Sequence, residues 1–383
     1  MGRIATAMVA TSLTLVGLAA QAAELKVGVV GSLSGGGTEW GLATQRGVEL
    51  AIAEVVAAGG LKVGNETVTP KMVMYDDQYS GKGGTVAATR LVNVDGVKFI
   101  IGPIGSPAVL GVLDVTRPAK VIVLSNGYSP QILTRASIYN FRVALTTSEF
   151  SPPVTKWLRH HLRPDVTKVG IILPSDAVGQ SVAPVLARAY ENNGFKVIFN
   201  ERYDRGTVEF TPLLTRMLAS GVQVLEVTGN APREAGLLVK QARQIGYTGT
   251  ITGGPGYAED IKKIAGPLAA GFVTYDVFNP ADPSAASFVA AYRAKYEGSI
   301  NNFAPIMYNA TKLLFEALRR AGTTEPDAVR KAIEGLGGLP TLFGPVRWDG
   351  QETYGINHQL LSELTMSEVQ ENGDVKTLDR VRD

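Results

Sequence analysis

The stretch that most constrains the fold of this chain runs from Leu25 to Gly41, and its sequence is LKVGVVGSLSGGGTEWG. The apolar run Val27–Val30 is typical of a strand buried on both faces of a parallel sheet. A polar, glycine-rich turn follows, and a helical pattern begins at Thr38. A strand that leads through a loop into a helix places that loop at the carboxyl edge of its sheet, where open α/β sheets bind ligands. Trp40, at the exit of the loop, is expected either to line a ligand cleft or to pack beneath the helix.

Strand-like apolar runs alternate with helical patterns along most of the chain. One set of these runs lies at 68–75, 99–101 and 121–124, and a second set lies at 169–173, 196–199, 222–227 and 248–252. Alternation of this kind indicates βαβ units and parallel sheets. Two sets predict an α/β fold of two doubly wound, Rossmann-like lobes, with the first crossing between them at Leu145–Ser148.

No combination of residues in the sequence predicts catalysis. The 383 residues include no cysteine, so no thiol nucleophile is available, and they include only three histidines. His160 and His161 are neighbours that point to different sides of a helix, whereas a shared metal needs i, i+4 spacing. The segment 31–35 places Leu33 where a Gly-x-Ser-x-Gly elbow has its nucleophile. We therefore expect a binding protein and not an enzyme, with no metal and no cofactor.

Charge and the N-terminal segment predict where the protein works. Lys and Arg together number 37 against 35 Asp and Glu, without a basic run, which argues against nucleic acid as a partner. Arg3, the apolar run after it and the small-x-small site Ala20–Ala22 predict a cleaved export signal at 1–22. No later segment is expected to insert into a membrane, and no cysteine offers a lipid anchor. We expect a soluble periplasmic protein.

Six short motifs carry a family resemblance, and together they span the mature chain. They are 29–35 (VVGSLSG), 75–77 (YDD), 99–103 (FIIGP), 141–142 (FR), 210–214 (FTPLL) and 344–349 (GPVRWD). In order and spacing they resemble the periplasmic solute-binding proteins of ABC transporters, specifically the leucine/isoleucine/valine-type group of type I periplasmic binding proteins.

The resemblance implies two discontinuous lobes that are joined by a three-crossing hinge and close on a small solute. Lobe 1 is expected to take residues 24–146 and about 276–340, and lobe 2 residues 147–275 and about 341–383. The implied partners are a small-molecule carboxylate and an ABC permease, and the protein is expected to be a monomer.

Two serines are expected to hold the carboxylate of the solute. In the family a hydroxyl residue at a helix start of the first lobe does this, and the matching position is Ser106, ahead of Pro107. A serine N-cap beside the free N–H groups of a helix N-terminus suits an anion. Ser129, which follows Gly127 and Tyr128, is the second hydroxyl. The alternative for both serines is simple capping of a turn or helix.

In lobe 2 the chain departs from the pattern of the family's amino-acid binders. Those proteins hold the α-ammonium with an acidic residue where this chain has Pro255. Val178 and Asn230 stand where the family has aromatic residues. Tyr257 and Glu259 are close enough in sequence to replace the missing acid if the alignment slips.

These features predict capture of a small carboxylate and its delivery to an ABC permease. Trp40, Tyr128 and Tyr257 would supply flat apolar walls, which favours an aromatic or other apolar acid without an α-ammonium. One alternative is a branched-chain amino acid binding protein. A second is a ligand-binding sensor that docks on a signalling receptor.

Overall fold

The structure is a computed structural model that describes residue 2 and residues 23–381. Apart from Gly2, the predicted export signal at 1–22 lies outside the described residues. The strands are β1 (Ala23–Gly31), β2 (Leu61–Val63), β3 (Glu66–Asp76), β4 (Phe99–Ile104), β5 (Ile122–Asn126), β6 (Asn140–Arg142), β7 (Lys168–Pro174), β8 (Lys196–Tyr203), β9 (Val224–Glu226), β10 (Thr250–Gly253), β11 (Phe272–Asp276), β12 (Pro340–Thr341), β13 (Gly344–Pro345), β14 (Arg347–Asp349), β15 (Gln359–Leu361), β16 (Leu364–Val369) and β17 (Val375–Val381).

Helices connect most of these strands. They are α1 (Thr38–Ala57), α2 (Gly81–Asn93), α3 (Ser106–Thr116), α4 (Thr147–His161), α5 (Ala177–Asn192), α6 (Thr211–Ala219), α7 (Pro232–Gln244), α8 (Ala258–Ala265), α9 (Ala286–Lys295), α10 (Phe303–Ala321), α11 (Pro326–Glu334) and α12 (Gln351–Tyr354). Short 3-10 turns lie at Gly35–Gly37, Pro130–Ile132, Gly266–Ala269 and Pro283–Ala285. Among the described residues, no helix is both long enough and apolar enough to cross a membrane.

The strands form two large sheets, and each sheet is the centre of one lobe. In lobe 1 the order is β14-β15-β6-β5-β4-β1-β3-β2, and in lobe 2 it is β17-β16-β11-β10-β9-β7-β8. The inner strands of both sheets pair in parallel, and the antiparallel pairs lie toward the sheet edges. The predicted α/β fold with two parallel-sheet lobes is confirmed.

Helices on both faces explain why the inner strands are apolar throughout. Every residue of β4 is buried, as a strand covered on both sides must be. In lobe 1, α1 and α10 pack together over one face of the sheet, whereas α2 and α3 pack together and bury an apolar cluster with Val30 and Ile100 on the other. The loops that leave the carboxyl ends of the strands are thereby left free to face the other lobe.

The chain crosses between the lobes at residues 143–146, 277–282 and 362–363, within the part of the chain that the structure describes. The predicted start of the last lobe 2 segment, near residue 341, is wrong. Strands β14 and β15 hydrogen-bond in the sheet of lobe 1, and Phe343, Val346 and Leu360 lie in the core of that lobe. Only β16 and β17 join lobe 2, because β16 pairs antiparallel with β11.

Candidate functional site

The first loop of the site is held in place by the two aspartates at the end of β3. The register of β1 and β3 places Gly31 opposite Asp76, so both strands end at the same edge. Asp76 accepts hydrogen bonds from the Leu33 N–H at 2.9 Å and the Ser34 hydroxyl at 2.6 Å. Asp77 is buried and accepts one from the Ser32 hydroxyl at 2.6 Å. Both carboxylates therefore shape the loop that precedes α1.

The surroundings shift the pKa values of the Asp76 and Asp77 carboxyl groups in opposite directions. Burial raises the pKa of Asp77 above its usual value, although the Ser32 hydroxyl and the Tyr79 N–H oppose this. Burial acts in the same direction on Asp76, but hydrogen bonds from Ser34, Gln78 and Leu33 outweigh it and lower its pKa. Within the described residues, no group of three or more potential ligands could hold a metal ion.

Tyr79 is a cleft residue that the sequence analysis missed. It adopts a left-handed φ of 53°, and its N–H donates to Asp77 at 2.7 Å. Its ring lies edge-on to Trp40 with centroids 5.4 Å apart, and Phe303 meets Trp40 from another direction at 5.7 Å. A Cβ at Gly105 would lie 2.4 Å from this tyrosine ring, so position 105 must be glycine. We call Trp40, Tyr79 and Phe303, all partly exposed, the aromatic wall.

The two predicted serines lie next to each other. The Ser106 Oγ accepts a hydrogen bond from the Ser129 N–H at 2.9 Å, and the Ser129 Oγ accepts one from the Gln131 N–H at 3.3 Å. Because each hydroxyl accepts from the protein, its hydrogen stays available to donate to a ligand. A Cβ at Gly127 would lie 3.2 Å from the Ser106 nitrogen, so the glycine permits this close approach.

The predicted N-cap role of Ser106 is wrong. The N-cap of α3 is Gly105, whose φ of 98° strongly favours glycine, and Ser106 is the first helical residue. As a result, Pro107 occupies the second helical position. The Ser106 hydroxyl bonds to the neighbouring loop and not to its own helix. The first-turn N–H groups of α3 have no intrahelical acceptors and carry partial positive charge.

A fully buried arginine lies behind the serine loop. Arg142, at the end of β6, is 0% exposed, and one nitrogen lies 3.4 Å from the carbonyl oxygens of both Gly127 and Ser129. Its Nε donates to Gln359, and its guanidinium stacks 4.4 Å from the centroid of the Tyr354 ring.

The second terminal nitrogen of Arg142 lies near a carboxylate but forms no hydrogen bond in the part of the chain that the structure describes. This Nη2 has no hydrogen-bond partner among the described residues, and its nearest carboxylate oxygen, on Glu149, is 3.8 Å away. A guanidinium remains charged when it is buried. The charge of Arg142 is balanced by Glu149, so the guanidinium acts on the serine loop mainly through the Gly127 and Ser129 carbonyl oxygens. We call the boundary between these lobe 1 loops and the loops after β7, β9 and β10 of lobe 2 the groove.

On the facing side, Val178 follows β7 at the start of α5. The N-cap of this helix is Asp176, which accepts from the Val178 N–H at 3.0 Å and pairs with Arg205 at 2.6 Å. Burial raises the pKa of Tyr79 in lobe 1, and the positive charge of Arg205 in lobe 2 opposes this rise. Val178 is partly exposed beside this pair.

Asn230 and Tyr257 direct their polar atoms into lobe 2. The Asn230 amide nitrogen donates to Ile172 and Val227 carbonyl oxygens at 2.9 and 2.7 Å, and its amide oxygen accepts from Tyr203. The Tyr257 hydroxyl donates to the Asn230 carbonyl oxygen. Burial raises the pKa of Tyr257, which stays neutral and apolar in character.

Glu259, the other proposed substitute for the missing acid, points away from these loops. It forms an ion pair with Lys262 at 2.9 Å, and its side chain is 59% exposed. Tyr257 therefore offers no negative charge where the family has its carboxylate, and the charge of Glu259 is paired with Lys262.

The lobes meet where Gly256 contacts Asn302. Gly256 belongs to the loop after β10 that also contains the partly exposed Pro255, and a Cβ at position 256 would lie 2.3 Å from the Asn302 amide nitrogen. Asn302 precedes α10 of lobe 1 and donates a hydrogen bond to Asp276, the last residue of β11. Burial raises the pKa of Asp276 to about 6.

Tyr128 lies between the serine loop and lobe 2. Its ring meets Phe150 of α4 edge-on at 6.2 Å, and burial raises its pKa, with further contributions from Tyr79 and Asp276. In residues 23–381, neither the Tyr128 nor the Tyr79 hydroxyl has a hydrogen-bond partner. Two phenols and two serine hydroxyls are thus available to a ligand.

The structure brings only part of the predicted site together. Ser106, Gly127 and Ser129 contact each other directly, and Tyr128 extends from them toward lobe 2. The remaining predicted residues, Trp40, Val178, Asn230, Pro255 and Tyr257, sit at or just after strand ends that face the groove. That these nine residues bind a ligand remains a prediction.

The chain is similar to known periplasmic binding proteins over most of its length. The family profile described as periplasmic binding protein matches residues 24–374. The leucine-specific-binding protein of Salmonella typhimurium is 27% identical over 333 residues, covering 86% of this chain and 88% of the relative.

Two solved structures show the same fold. A branched-chain amino acid transporter substrate binding protein from Streptococcus pneumoniae, in complex with isoleucine, has a TM-score of 0.81 at 21% identity and covers 93% of this chain and 99% of its own. A solute binding protein of an ABC transporter from Rhodopseudomonas palustris, in complex with 3,4-dihydroxybenzoic acid, has a TM-score of 0.79 at 21% identity. The match covers 94% of this chain and 97% of the Rhodopseudomonas palustris protein.

Proposed function

The chain belongs to the periplasmic binding protein family, in its leucine/isoleucine/valine-type group, and from that premise we propose that it captures a small carboxylate for an ABC importer. The favoured ligand is an aromatic or other apolar acid without an α-ammonium. It is bound in the periplasm between the two lobes and passed to the permease. The protein acts as a carrier and not as an enzyme.

The observation that carries this proposal is the pair of adjacent serine hydroxyls. Both Ser106 and Ser129 already accept an N–H from the protein, so each has a hydrogen to donate. The N-terminus of α3 adds positive potential at the same place, and Arg142 holds the loop that carries Ser129. A site made of donors and positive potential favours an anion, and a carboxylate can accept from both serines at once.

The loop after β10 supports the absence of an α-ammonium. Pro255 has no charge and no N–H, and Glu259, the first acid after it in sequence, is paired with Lys262. A buried ammonium without an acidic partner costs several kcal/mol, so an ordinary amino acid would need a carboxylate from another strand to bind tightly. The aromatic wall and Tyr128 instead offer rings to an apolar ligand.

The relatives support two ligand classes. The Rhodopseudomonas palustris structure holds an aromatic acid, which agrees with the favoured ligand. The relatives named for leucine and the structure with isoleucine support the alternative, a branched-chain amino acid.

Isothermal titration separates the two classes. We expect benzoate-type or aliphatic monocarboxylates to bind at least about tenfold more tightly than leucine or valine, a difference of about 1.4 kcal/mol. The physical reason is that the ammonium of an amino acid finds no carboxylate on the loop after β10. Tighter binding of leucine than of every simple acid would overturn the favoured ligand and leave the alternative.

Ser106→Ala tests the carboxylate anchor. We expect the affinity for the best-binding acid to fall by about 1.5–3 kcal/mol, the range for a hydrogen bond to a charged group. The free energy of unfolding without ligand should fall by only about 1 kcal/mol, because one neutral hydrogen bond is lost. Ser137→Ala is the matched control, since the Ser137 Oγ also accepts a backbone N–H, from Thr134 at 3.1 Å, but lies at the other end of the β5–β6 connection, just before β6. Equal affinity losses in the two variants would contradict the assigned role.

A further inference from the structure

A carboxylate that the family resemblance did not predict, that of Asp276, lies at the groove at the end of β11. Strands β9, β10 and β11 are parallel, so the residues that end them share one edge of the lobe 2 sheet. Pro255 follows β10, and Asp276 is the last residue of the adjacent strand β11. The acid that is missing after β10 therefore has a counterpart one strand away.

The carboxylate of Asp276 is only partly occupied by the protein. One oxygen accepts from the Phe278 N–H at 3.1 Å, and the other accepts from the Asn302 amide of lobe 1. The Val277 N–H is a third hydrogen-bond donor that lowers the pKa of Asp276. An ionised carboxylate has about four acceptor sites, so about one stays free. The residue as a whole is partly exposed, although its carboxyl group is buried at the boundary between the lobes.

No cation of the protein neutralises this acid. In the described part of the chain, no lysine, arginine or histidine forms an ion pair with Asp276, and its neighbours in the groove are the amide of Asn302 and the phenol of Tyr128. Its pKa is raised by burial, as expected for a desolvated carboxylate without a cationic partner. Such a group gains from any further donor that enters the groove.

We propose that Asp276 is the specificity-determining acceptor of the site, which hydrogen-bonds a donor on the ligand, distinct from the carboxylate held by Ser106 and Ser129. This inference rests on the proposed function and narrows its ligand class. The preferred ligand is an apolar acid with a hydroxyl group on the part that lies toward β11. An ammonium is the other donor that could satisfy the same oxygen atoms, and the experiment distinguishes the two.

The experiment is isothermal titration of benzoate, 3-hydroxybenzoate, 4-hydroxybenzoate and leucine against three proteins. The wild-type protein should bind at least one hydroxybenzoate about tenfold or more tightly than benzoate, because a hydrogen bond to a charged acceptor is among the stronger ones. In Asp276→Asn the ratio should fall below about threefold, since the charge is removed and the side-chain shape is kept. Glu259→Gln is the control, because this exposed acid is paired with Lys262 and its loss should keep the wild-type ratio.

Each outcome decides between the two proposals. Equal binding of benzoate and both hydroxybenzoates by the wild-type protein overturns the role of Asp276 and leaves the proposed function intact. An unchanged ratio in Asp276→Asn overturns it as well. If leucine binds the wild-type protein most tightly and Asp276→Asn removes that affinity, Asp276 is an acceptor for an ammonium. The favoured ligand class is then wrong. Should Asp276→Asn fail to fold by circular dichroism, Asp276→Ser replaces it as the uncharged variant, and an unchanged ratio in that protein overturns the role of Asp276.

Discussion

Replacing Arg142 with methionine is expected to lower the free energy of unfolding by about 3–5 kcal/mol, the range for removing one partner from a buried charged group. The change leaves the carbonyl oxygens of Gly127 and Ser129 without their donor, and it leaves Gln359 without the guanidinium. Glu149, whose side chain is only 10% exposed, would lose its nearest positive charge. Methionine fills a similar volume, so the lower free energy of unfolding would come mainly from the lost charge and hydrogen bonds and not from a cavity.

Ligand binding should fall together with stability in this variant. The loop that carries Ser129 rests on Arg142, and the variant leaves Glu149 as an unpaired negative charge near that loop. We therefore expect the affinity for a carboxylate to fall by at least about tenfold at a temperature where the variant is folded. A neutral analogue of the ligand, such as the corresponding amide, should lose less affinity.

Urea denaturation with and without ligand measures both effects. Arg347→Met is the matched control, because Arg347 lies on β14 of the same sheet but is exposed, and its loss should change stability by less than about 0.5 kcal/mol. Arg142→Lys should fall between the two, since lysine keeps the charge without the planar fork. A loss below about 1 kcal/mol in Arg142→Met would show that the buried guanidinium does not support the loop.

The features that could be predicted from the sequence are those set by local patterns. The apolar runs at β1, β4, β5 and β7 indicated buried parallel strands, and their ends marked the edge where Ser106, Gly127 and Ser129 now meet. Strand periodicity and loop position depend on neighbouring residues, so one chain without an alignment is enough to find them.

The features that were missed depend on contacts between distant segments. Asp276 and Asn302 are hydrogen-bonded only because α10 begins next to the end of β11, and no local sequence pattern predicts that contact. Tyr79 enters the groove because Asp77 holds it at a φ of 53°, which an aromatic residue rarely adopts. The position of β14 was misjudged for the same reason, since an antiparallel edge strand can pair with either sheet as far as its sequence shows.

Gly256→Ala is expected to weaken ligand binding by roughly tenfold to a hundredfold, although the residue has no side chain that could contact a ligand. A Cβ at position 256 would lie 2.3 Å from the amide nitrogen of Asn302 in the other lobe. Asn302 is held by its hydrogen bond to Asp276, so relieving the clash means breaking that bond or moving Gly256 away from lobe 1. We expect either change to raise the free energy of the arrangement that encloses a ligand. A ligand that contacts both lobes favours that arrangement by its differential affinity, and the variant works against it.

The matched control separates the clash from backbone strain. Gly256 has a φ of 82°, so alanine there is also strained within lobe 2. Gly246, in the same lobe, has a φ of 87°, and a Cβ added there would have no atom within 4 Å. Both variants should lose about 1–2 kcal/mol of stability from strain, but only Gly256→Ala should lose ligand affinity.

Small-angle scattering shows whether the lobes close. With a saturating acid, the radius of gyration should fall for the wild-type protein and for Gly246→Ala, and it should fall much less for Gly256→Ala. Trp40 provides a second signal, since its ring lies in the aromatic wall while Trp157 and Trp348 are hydrogen-bonded elsewhere. Identical wild-type scattering curves with and without bound ligand would refute hinge closure. Equal affinities in Gly256→Ala and Gly246→Ala would show instead that closure does not depend on the contact between Gly256 and Asn302.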